Sequence, residues 1–482
     1  RPPRRLWDTQ ITSYLQNEQR PERSLKTLAP LFGVTRYDVD LRGGQRFSSD
    51  YDPLLHRYNA QDAWTTLRLH ELIAVRIPQE YPNTAKLSPD CYAWYNDLLW
   101  SVLNMSEQGV TYSKARLSAL AIAQQSVQDK ASAAFSAATS GTSLSGKGSV
   151  ASIDAVMIQA ADLAPQEIVP ELEFTEAQCR LSSKEQNINL LKPYLPPGPL
   201  RDALLSVVDF RKSQKLISSY IKPLLTKHLT STSQAYTHWH ITPSATKDEG
   251  SEEGGVKQGR LAAKSPPVQT DPPSIGACRS TRFAPGYLIR GDLSQIELRV
   301  AALLSNDPVM MYEYQQPNPN LHGRTAISIF GQQFHDECDP VEWKDIYRQA
   351  GKRANFLMIY GGGAQRLHEV LLSEVGLYYP MTDCELAVAS MRTTYKRLVE
   401  YQGENQAIAE SQGYLELPPY GASRLFIGGQ SAIDATYKNE INNFPVQYYA
   451  ALIMQSALVH LQRAYLSRSM SAKIVCQTHD SV

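Results

Sequence analysis

A multidomain α+β protein is what this sequence predicts, on three observations. At 482 residues the chain exceeds one ordinary core, so two to four domains are expected. Long segments with helically spaced apolar residues alternate with short apolar runs of strand length. Two small, polar stretches divide the chain. "ASAAFSAATSGTSLSGKGSVAS" (131–152) reads as a flexible tip or linker, and "SATKDEGSEEGGVK" (244–257) as an exposed loop.

Residues 1–75 mix short apolar runs with a helical tail, "YNAQDAWTTLRLHELI". Residues 91–129 read as two helices broken at Gly109. "LPPGPLRDALLSVVDFRKSQKLISSYIKPLL" has a proline-rich start and then a long amphipathic helix. "AYTHWHIT" is strand-like. From 280 onward the pattern runs strand, helix, loop, several helices and a terminal strand at Ile474, Val475 and Cys476. No internal repeat is apparent.

Composition excludes several classes. A hydrophobic content of 42% with 20% charged residues describes a soluble globular protein. The longest apolar run, "YYAALIMQSALV", is too short for a bilayer and contains Gln455, so no membrane role is expected. The basic start "RPPRRLWDTQ" leads into polar residues, not a secretory signal. Cys91, Cys179, Cys278, Cys338, Cys384 and Cys476 form no C-x-x-C pair, which argues against zinc or a disulfide framework and for a reducing, intracellular setting. Net charge is zero, 48 basic against 48 acidic residues. The window 256–290 nevertheless holds Lys257, Arg260, Lys264, Arg279, Arg282 and Arg290 against Asp271 alone. By itself it is a solvated basic loop; it becomes a binding surface only if neighbouring motifs demand one.

Three stretches carry chemistry. In "GYLIRGDLSQIELRVAALLS", Tyr287, Leu288 and Ile289 suggest a buried strand that ends at Gly291-Asp292. Ser294 and Glu297 have capping-box spacing at the start of a helix. Asp292 is then either a strand-end ligand or a turn carboxylate, and Glu297 either a site group or a cap partner. In "RQAGKRANFLMIYGG", Arg348, Lys352, Phe356 and Tyr360 recur every four residues along one helix stripe about 18 Å long. Two adjacent cations repel unless an anion lies between them, and two aromatic faces suit a stacked base. Phosphates at one end and a base at the other describe a nucleotide. Finally, "VCQTHDSV" sets Asp480 at a strand tip. Two carboxylates on adjacent strands can bridge paired Mg²⁺ ions for phosphoryl transfer. His479 beside it fits a structural or substrate-orienting role better than a magnesium ligand.

"DLSQIELR", "RQAGKRANFLMIYG" and "THDSV" resemble motifs A, B and C of the family A DNA polymerases, in order and spacing. "QGRLAAKSPPVQTDP" is similar to the family's primer-contacting segment, "FRKSQKLISSY" to its thumb, "NLHGRTA" to its fingers and "NFPVQYYAALI" to its template-contacting helix. The resemblance implies a right-hand polymerase fold preceded by the C-terminal remnant of an RNase H-like 3′–5′ exonuclease domain. It divides the chain into that remnant (1–88), thumb (89–233, with an insertion near 131–152), palm (234–310), fingers (311–430) and palm again (431–482). It implies DNA-templated DNA synthesis in replication or repair, with primer–template DNA and dNTPs as partners and two Mg²⁺ ions, or Mn²⁺, as cofactor. Asp292, Leu293 and Asp480 would form the metal set, with Lys352 also catalytic. Arg348, Lys352, Phe356, Tyr360, Glu297, Gln295 and His322 would bind the nucleotide, Glu297 excluding a 2′-hydroxyl. Arg260, Gln447, His479, Arg211 and Lys215 would contact DNA, and the basic window would serve its phosphates. A thumb-tip processivity factor is a further implied partner, although composition favours a simple loop there.

Departures are few. Leu293 stands where an aromatic is usual, and Ser481 where an acid often follows motif C. "VQTDP" replaces the family's "LQNIP", which puts the role of Gln269 in doubt. Tyr58 and Asp62 in "YNAQD" match the third exonuclease motif; the first two motifs would lie upstream of Arg1. The chain also stops inside the hairpin of motif C, so it reads as an internal piece of a longer polymerase, bacterial or phage in setting. The competing readings are a polymerase-like DNA clamp without catalysis and a nuclease acting through Asp62.

Overall fold

The computed structural model describes residues 25–34, 53–80, 89–139, 141–144, 149–166, 168–169, 172–175, 181–241, 259–419, 422–426 and 437–482. The predicted loop at 244–257, with Lys257, lies outside these residues. Helices dominate. α1 (Leu25–Leu31) packs on α2 (Pro53–Glu80) through the fully buried Leu28 and Leu69, and α2 contains the predicted "YNAQD" helix. α3 (Pro89–Gln108) stops at Gly109, whose φ of +63° needs no Cβ; one there would press on the Ala235 carbonyl at 3.0 Å. β1 (Val110–Thr111) follows, then α4 (Lys114–Ala138), capped by Ser113 Oγ accepting from Arg116 N at 3.3 Å.

The described residues of 131–152 differ from the expected flexible linker. α4 runs through its first half, and α5 (Ser149–Asp162) begins in its last residues. Ala131, Phe135 and Leu144 are buried against α5, α6 (Glu185–Leu191) and α7 (Pro199–Lys215). Small residues here permit close helix packing, and the fully buried Phe135 supplies about 2 kcal/mol of apolar burial. α7 starts with Pro199 at its first position and continues into two wide π-type turns, Leu216–Ile221 and Leu224–His228.

Strands are short and, among the described residues, form three antiparallel two-stranded ladders. β1 pairs with β2 (Gln234–Ala235), β3 (His238–His240) with β4 (Ala262–Lys264), and β5 (Tyr414–Leu417) with β6 (Ala422–Leu425). Two expected strands are absent as ladders. Residues 474–476 join no ladder, with Ile474 and Cys476 buried in two different cores. Tyr287 and Ile289, expected in a buried strand, are 89% and 90% exposed. Just beyond them Asp292 bridges Ser481, and Gly291 pairs with Val482 in both directions at 2.9 and 3.0 Å.

The remaining helices share one core. α8 (Ile296–Ser305), α9 (Pro308–Tyr314), α10 (Leu321–Phe330), α11 (Arg348–Tyr360), α12 (Ala364–Val370), α13 (Met381–Thr394), α14 (Lys396–Gln412) and α15 (Lys438–Ser467) bury Val300, Ala301, Ala354, Met358 and Val446 together. α10 and α11 cross at Gly351, where a Cβ would collide with the His322 carbonyl and lie 2.8 Å from Ala326 N. That close approach fixes which face of α11 meets α10. No helix among the described residues is long and apolar enough to cross a membrane.

Candidate active site

The Asp292 and Asp480 carboxylates sit on neighbouring backbone segments. The Asp292–Ser481 bridge and the bond from Leu293 N to the Asp480 carbonyl, 2.8 Å, tie these segments together. Asp480 lies in a two-residue turn closed by Thr478 and Ser481 at 2.8 and 2.9 Å, with His479 at φ +49° and exposed. Burial first, then the charges of Glu297 and Asp292, push the Asp480 carboxyl up from its ordinary value; Arg260 and His479 oppose them. Arg290 is 3.7 Å from Asp292 and donates to Ser481 Oγ at 3.2 Å. Among the described residues no group of three or more His, Cys, Asp or Glu is close enough to hold a metal. The donor set at this point is therefore two carboxylates and nearby backbone carbonyls, all oxygen.

Glu297 is not a cap partner. The N-cap of α8 is Gln295, in a left-handed conformation (φ +54°) with no side-chain cap bond, so the expected capping box with Ser294 does not form. The Glu297 carboxylate, only 8% exposed, instead accepts from Arg260 through one oxygen and from the Tyr360 hydroxyl through the other. Gln447 Nε2 donates to the same Tyr360 oxygen at 3.4 Å. Burial, then the Glu297 charge, hold the Tyr360 phenol above its ordinary range. Three sequence-predicted residues are thus joined to Glu297, directly or through Tyr360, from three separate elements. Gln295 accepts from Tyr314 Oη at 3.2 Å.

The predicted stripe on α11 exists. Arg348 Nε donates to Asn320 Oδ1 at 3.2 Å. Among the described residues neither Arg348 nor Lys352 has a carboxylate within ion-pair distance. His322, buried on α10, accepts at Nδ1 from Asn355 Nδ2 at 3.2 Å and lies 6.2 Å centroid to centroid from Phe356. Burial first, then Arg348 and Lys352, push its pKa down to about 4, so the ring is neutral at pH 7. Phe356 and Tyr360 are tilted neighbours at 6.2 Å. Cations and aromatic faces follow one another along one side of α11, ending at the carboxylate of Glu297.

Some predicted residues stand apart. Arg211 and Lys215 lie on α7, where Arg211 donates to the Ser183 carbonyl at 2.5 Å and its hydroxyl at 2.8 Å. Tyr58 and Asp62 lie one turn apart on α2, the Asp62 carbonyl accepting from Thr66 Oγ1 at 2.8 Å. The basic window is also less free than its composition suggests. Arg260 holds Glu297, Arg279 holds Asp271 at 2.8 Å, Arg282 binds Gln108, and Arg290 faces Asp292 and Ser481. Three of these partners, Glu297, Gln108 and Asp292, lie outside the window, so a charge count within it does not register them.

Asn320 was not singled out from the sequence, and Gln269 was named there only with its role in doubt. Asn320 caps α10 by accepting from Gly323 N at 3.2 Å while orienting Arg348; the cap residue ahead of "LHG" was the available signal. Gln269 joins β4 to the segment before His479, and its only signal was an altered motif.

Comparison with known proteins agrees with this geometry. A family model described as DNA polymerase family A matches residues 172–482. DNA polymerase I of Deinococcus radiodurans is 28% identical over 295 residues, covering 59% of this chain and 28% of that protein. DNA polymerase I of Treponema pallidum is 24% identical over 491 residues, covering 99% of this chain and 44% of that one. The chain thus spans less than half the length of these curated relatives. Among solved structures, the polymerase domain of Pol1 from M. smegmatis, in complex with DNA primer-template and dNTP, superposes with a TM-score of 0.71 at 17% identity. The match covers 98% of this chain and 74% of that one, and shows a shared fold.

Proposed function

Because the chain belongs to DNA polymerase family A, we propose that it adds deoxynucleotides to a primer 3′ end under the direction of a template. The observation that carries this reading is one juxtaposition. Two carboxylates share a backbone bridge, while α11 brings two cations, without acidic partners among the described residues, and two aromatic rings to the adjacent Glu297. Each group then has a task. Arg348 and Lys352 hold the triphosphate, Lys352 stabilising the charge that develops on the leaving pyrophosphate. Phe356 and Tyr360 pack on the nucleotide, His322 contacts its phosphates as a neutral donor, and Gln295 supports the same pocket through Tyr314. Arg260, Gln447 and His479 meet the primer end, and Arg211 and Lys215 the duplex further along the thumb.

Family A polymerases use divalent metal ions, and the all-oxygen donor set suits a hard cation such as Mg²⁺ or Mn²⁺. Asp292 and Asp480, with the Leu293 backbone, would hold it. When bound, such ions lower the barrier to attack on phosphorus by stabilising the attacking and leaving oxygens. Primer–template DNA and dNTP as partners are further supported by the contents of the similar solved structure. On this reading 89–233 is the thumb, 234–310 and 431–482 the palm, 311–430 the fingers, and 1–88, with Tyr58 and Asp62, an exonuclease remnant.

A templated extension assay tests the proposal. With Mg²⁺, only the dNTP complementary to the template base should be added, and EDTA should stop it. Binding of primer–template with no extension would favour the alternative of a catalytically silent DNA clamp.

A further inference from the structure

Gln269 sits in a tight turn, Val268–Thr270, inside the altered "VQTDP" stretch. A primary amide enclosed by backbone must find partners for its carbonyl and both N–H groups. Gln269 does so on three segments. Its Oε1 accepts from Ala263 N at 2.9 Å, and its Nε2 donates to the carbonyls of Leu261 at 3.1 Å and Gln477 at 3.0 Å. The partners fix the amide orientation, since a flipped amide would set N–H against N–H at Ala263. Gln477 in turn donates to the His479 carbonyl, inside the turn that carries Asp480.

The turn is itself clamped. Asp271 Oδ2 accepts from Tyr112 Oη at 2.5 Å and from Arg279 Nη2 and Nε at 2.8 and 3.2 Å. The same Arg279 Nη2 donates to the Val268 carbonyl at 2.5 Å, so one guanidinium grips both ends of the turn. Tyr112 is fully buried and the Asp271 side chain 7% exposed, so the clamp is anchored in a core. The aspartate that departs from the family pattern thus has its own partners, and the amide it steadies spans the site. On one side of that amide is Leu261, next to the Arg260 that grips Glu297. On the other is Gln477, three residues before Asp480.

We propose that Gln269, steadied by Asp271 and Arg279, is a positioning residue that sets the Asp480 turn against Asp292 and the Arg260–Glu297 pair. What is positioned rests on the polymerase reading; the brace itself rests on the bonds just named. Catalytic geometry tolerates little displacement, about 1 Å costing on the order of a hundredfold in rate.

The test uses the whole chain with Gln269→Glu, which keeps size and the acceptor for Ala263 N but loses both N–H donors. Asp271→Asn, which weakens the Arg279 grip, serves as the second variant. The expected result for Gln269→Glu is a kcat lower by about tenfold to a hundredfold, with KM for dNTP and primer–template Kd changed less than about twofold. Mn²⁺ binding without DNA should weaken, and amide exchange should rise in 474–482 but not in 345–360. Asp271→Asn should repeat the pattern more mildly. An unchanged kcat, or a loss of protection spread through 345–360 with raised KM, would overturn the proposal. If the wild type extends no primer, the polymerase reading fails separately. Mn²⁺ binding and exchange then decide the brace alone, and it falls if Gln269→Glu leaves both unchanged.

Discussion

Removing the Glu297 carboxylate tests two physical roles at once. It is 8% exposed and satisfies two donors, Arg260 (21% exposed) and the Tyr360 hydroxyl. Glu297→Ala leaves a nearly buried guanidinium without its counter-ion and a phenol without its acceptor. Breaking a buried pair from one side costs about 3–5 kcal/mol, and hydrogen bonds to charged groups about 1.5–3. Arg260 retains some access to water, so the lower end, about 3 kcal/mol, is expected. A helix cap alone would be worth about 1 kcal/mol, and the structure contains no such cap. The same deletion opens space beside the proposed sugar position, so dNTP-over-rNTP selectivity in kcat/KM should fall at least about tenfold, or 1.4 kcal/mol. Glu297→Gln keeps the volume and an acceptor for Tyr360 but drops the charge facing Arg260. It should lose stability yet hold the sugar ratio. Thermal midpoints and single-nucleotide kinetics with dNTP and rNTP read both effects. A large stability loss in Glu297→Ala with an unaltered sugar ratio would refute the gate and leave Glu297 a purely structural anchor.

Three further outcomes are expected. Lys352→Ala should raise KM for dNTP and lower kcat while leaving primer–template Kd, read by fluorescence anisotropy, near wild type, because its cation faces no protein carboxylate. Gly351→Ala should cost about 1–3 kcal/mol by driving a methyl into the α10 backbone, and should raise KM for dNTP as His322 and Arg348 part; unchanged kinetics would show that the crossing does not set the nucleotide pocket. His322 titrates near 4 when folded against about 6.5 unfolded, so the unfolded chain takes up that proton first. Its share of stability is fully present above about pH 6.5 and is lost progressively as pH falls through 4, up to about 3 kcal/mol. His322→Gln should therefore flatten the stability profile between pH 7 and 4, measured by denaturant midpoint; a parallel profile would remove His322 as its source.

What the sequence made legible was set by locality. The α11 stripe was readable because helix spacing alone places Arg348, Lys352, Phe356 and Tyr360 on one face. The break at Gly109 was readable because a left-handed residue ends a helix wherever it stands. Long-range partners were not. Ser294-x-x-Glu297 has local capping geometry, yet Arg260 and Tyr360, 37 and 63 residues away, claim the carboxylate. The six cations of 256–290 read as a basic patch until Glu297 and Gln108, from outside it, are seen to engage Arg260 and Arg282. The serine- and alanine-rich 131–152 stretch looked like a linker because small residues serve loops and tight helix contacts equally well.

The central claim is that Asp292 and Asp480 act together on the chemical step, held across one backbone bridge. Single-turnover primer extension by Asp292→Asn and Asp480→Asn, beside primer–template binding, tests it most directly. Loss of several kcal/mol of transition-state stabilisation corresponds to about a thousandfold slower extension or more. Both variants should show that loss, with primer–template affinity near wild type. Near wild-type extension by either variant, or a rate loss explained wholly by lost DNA binding, would contradict it.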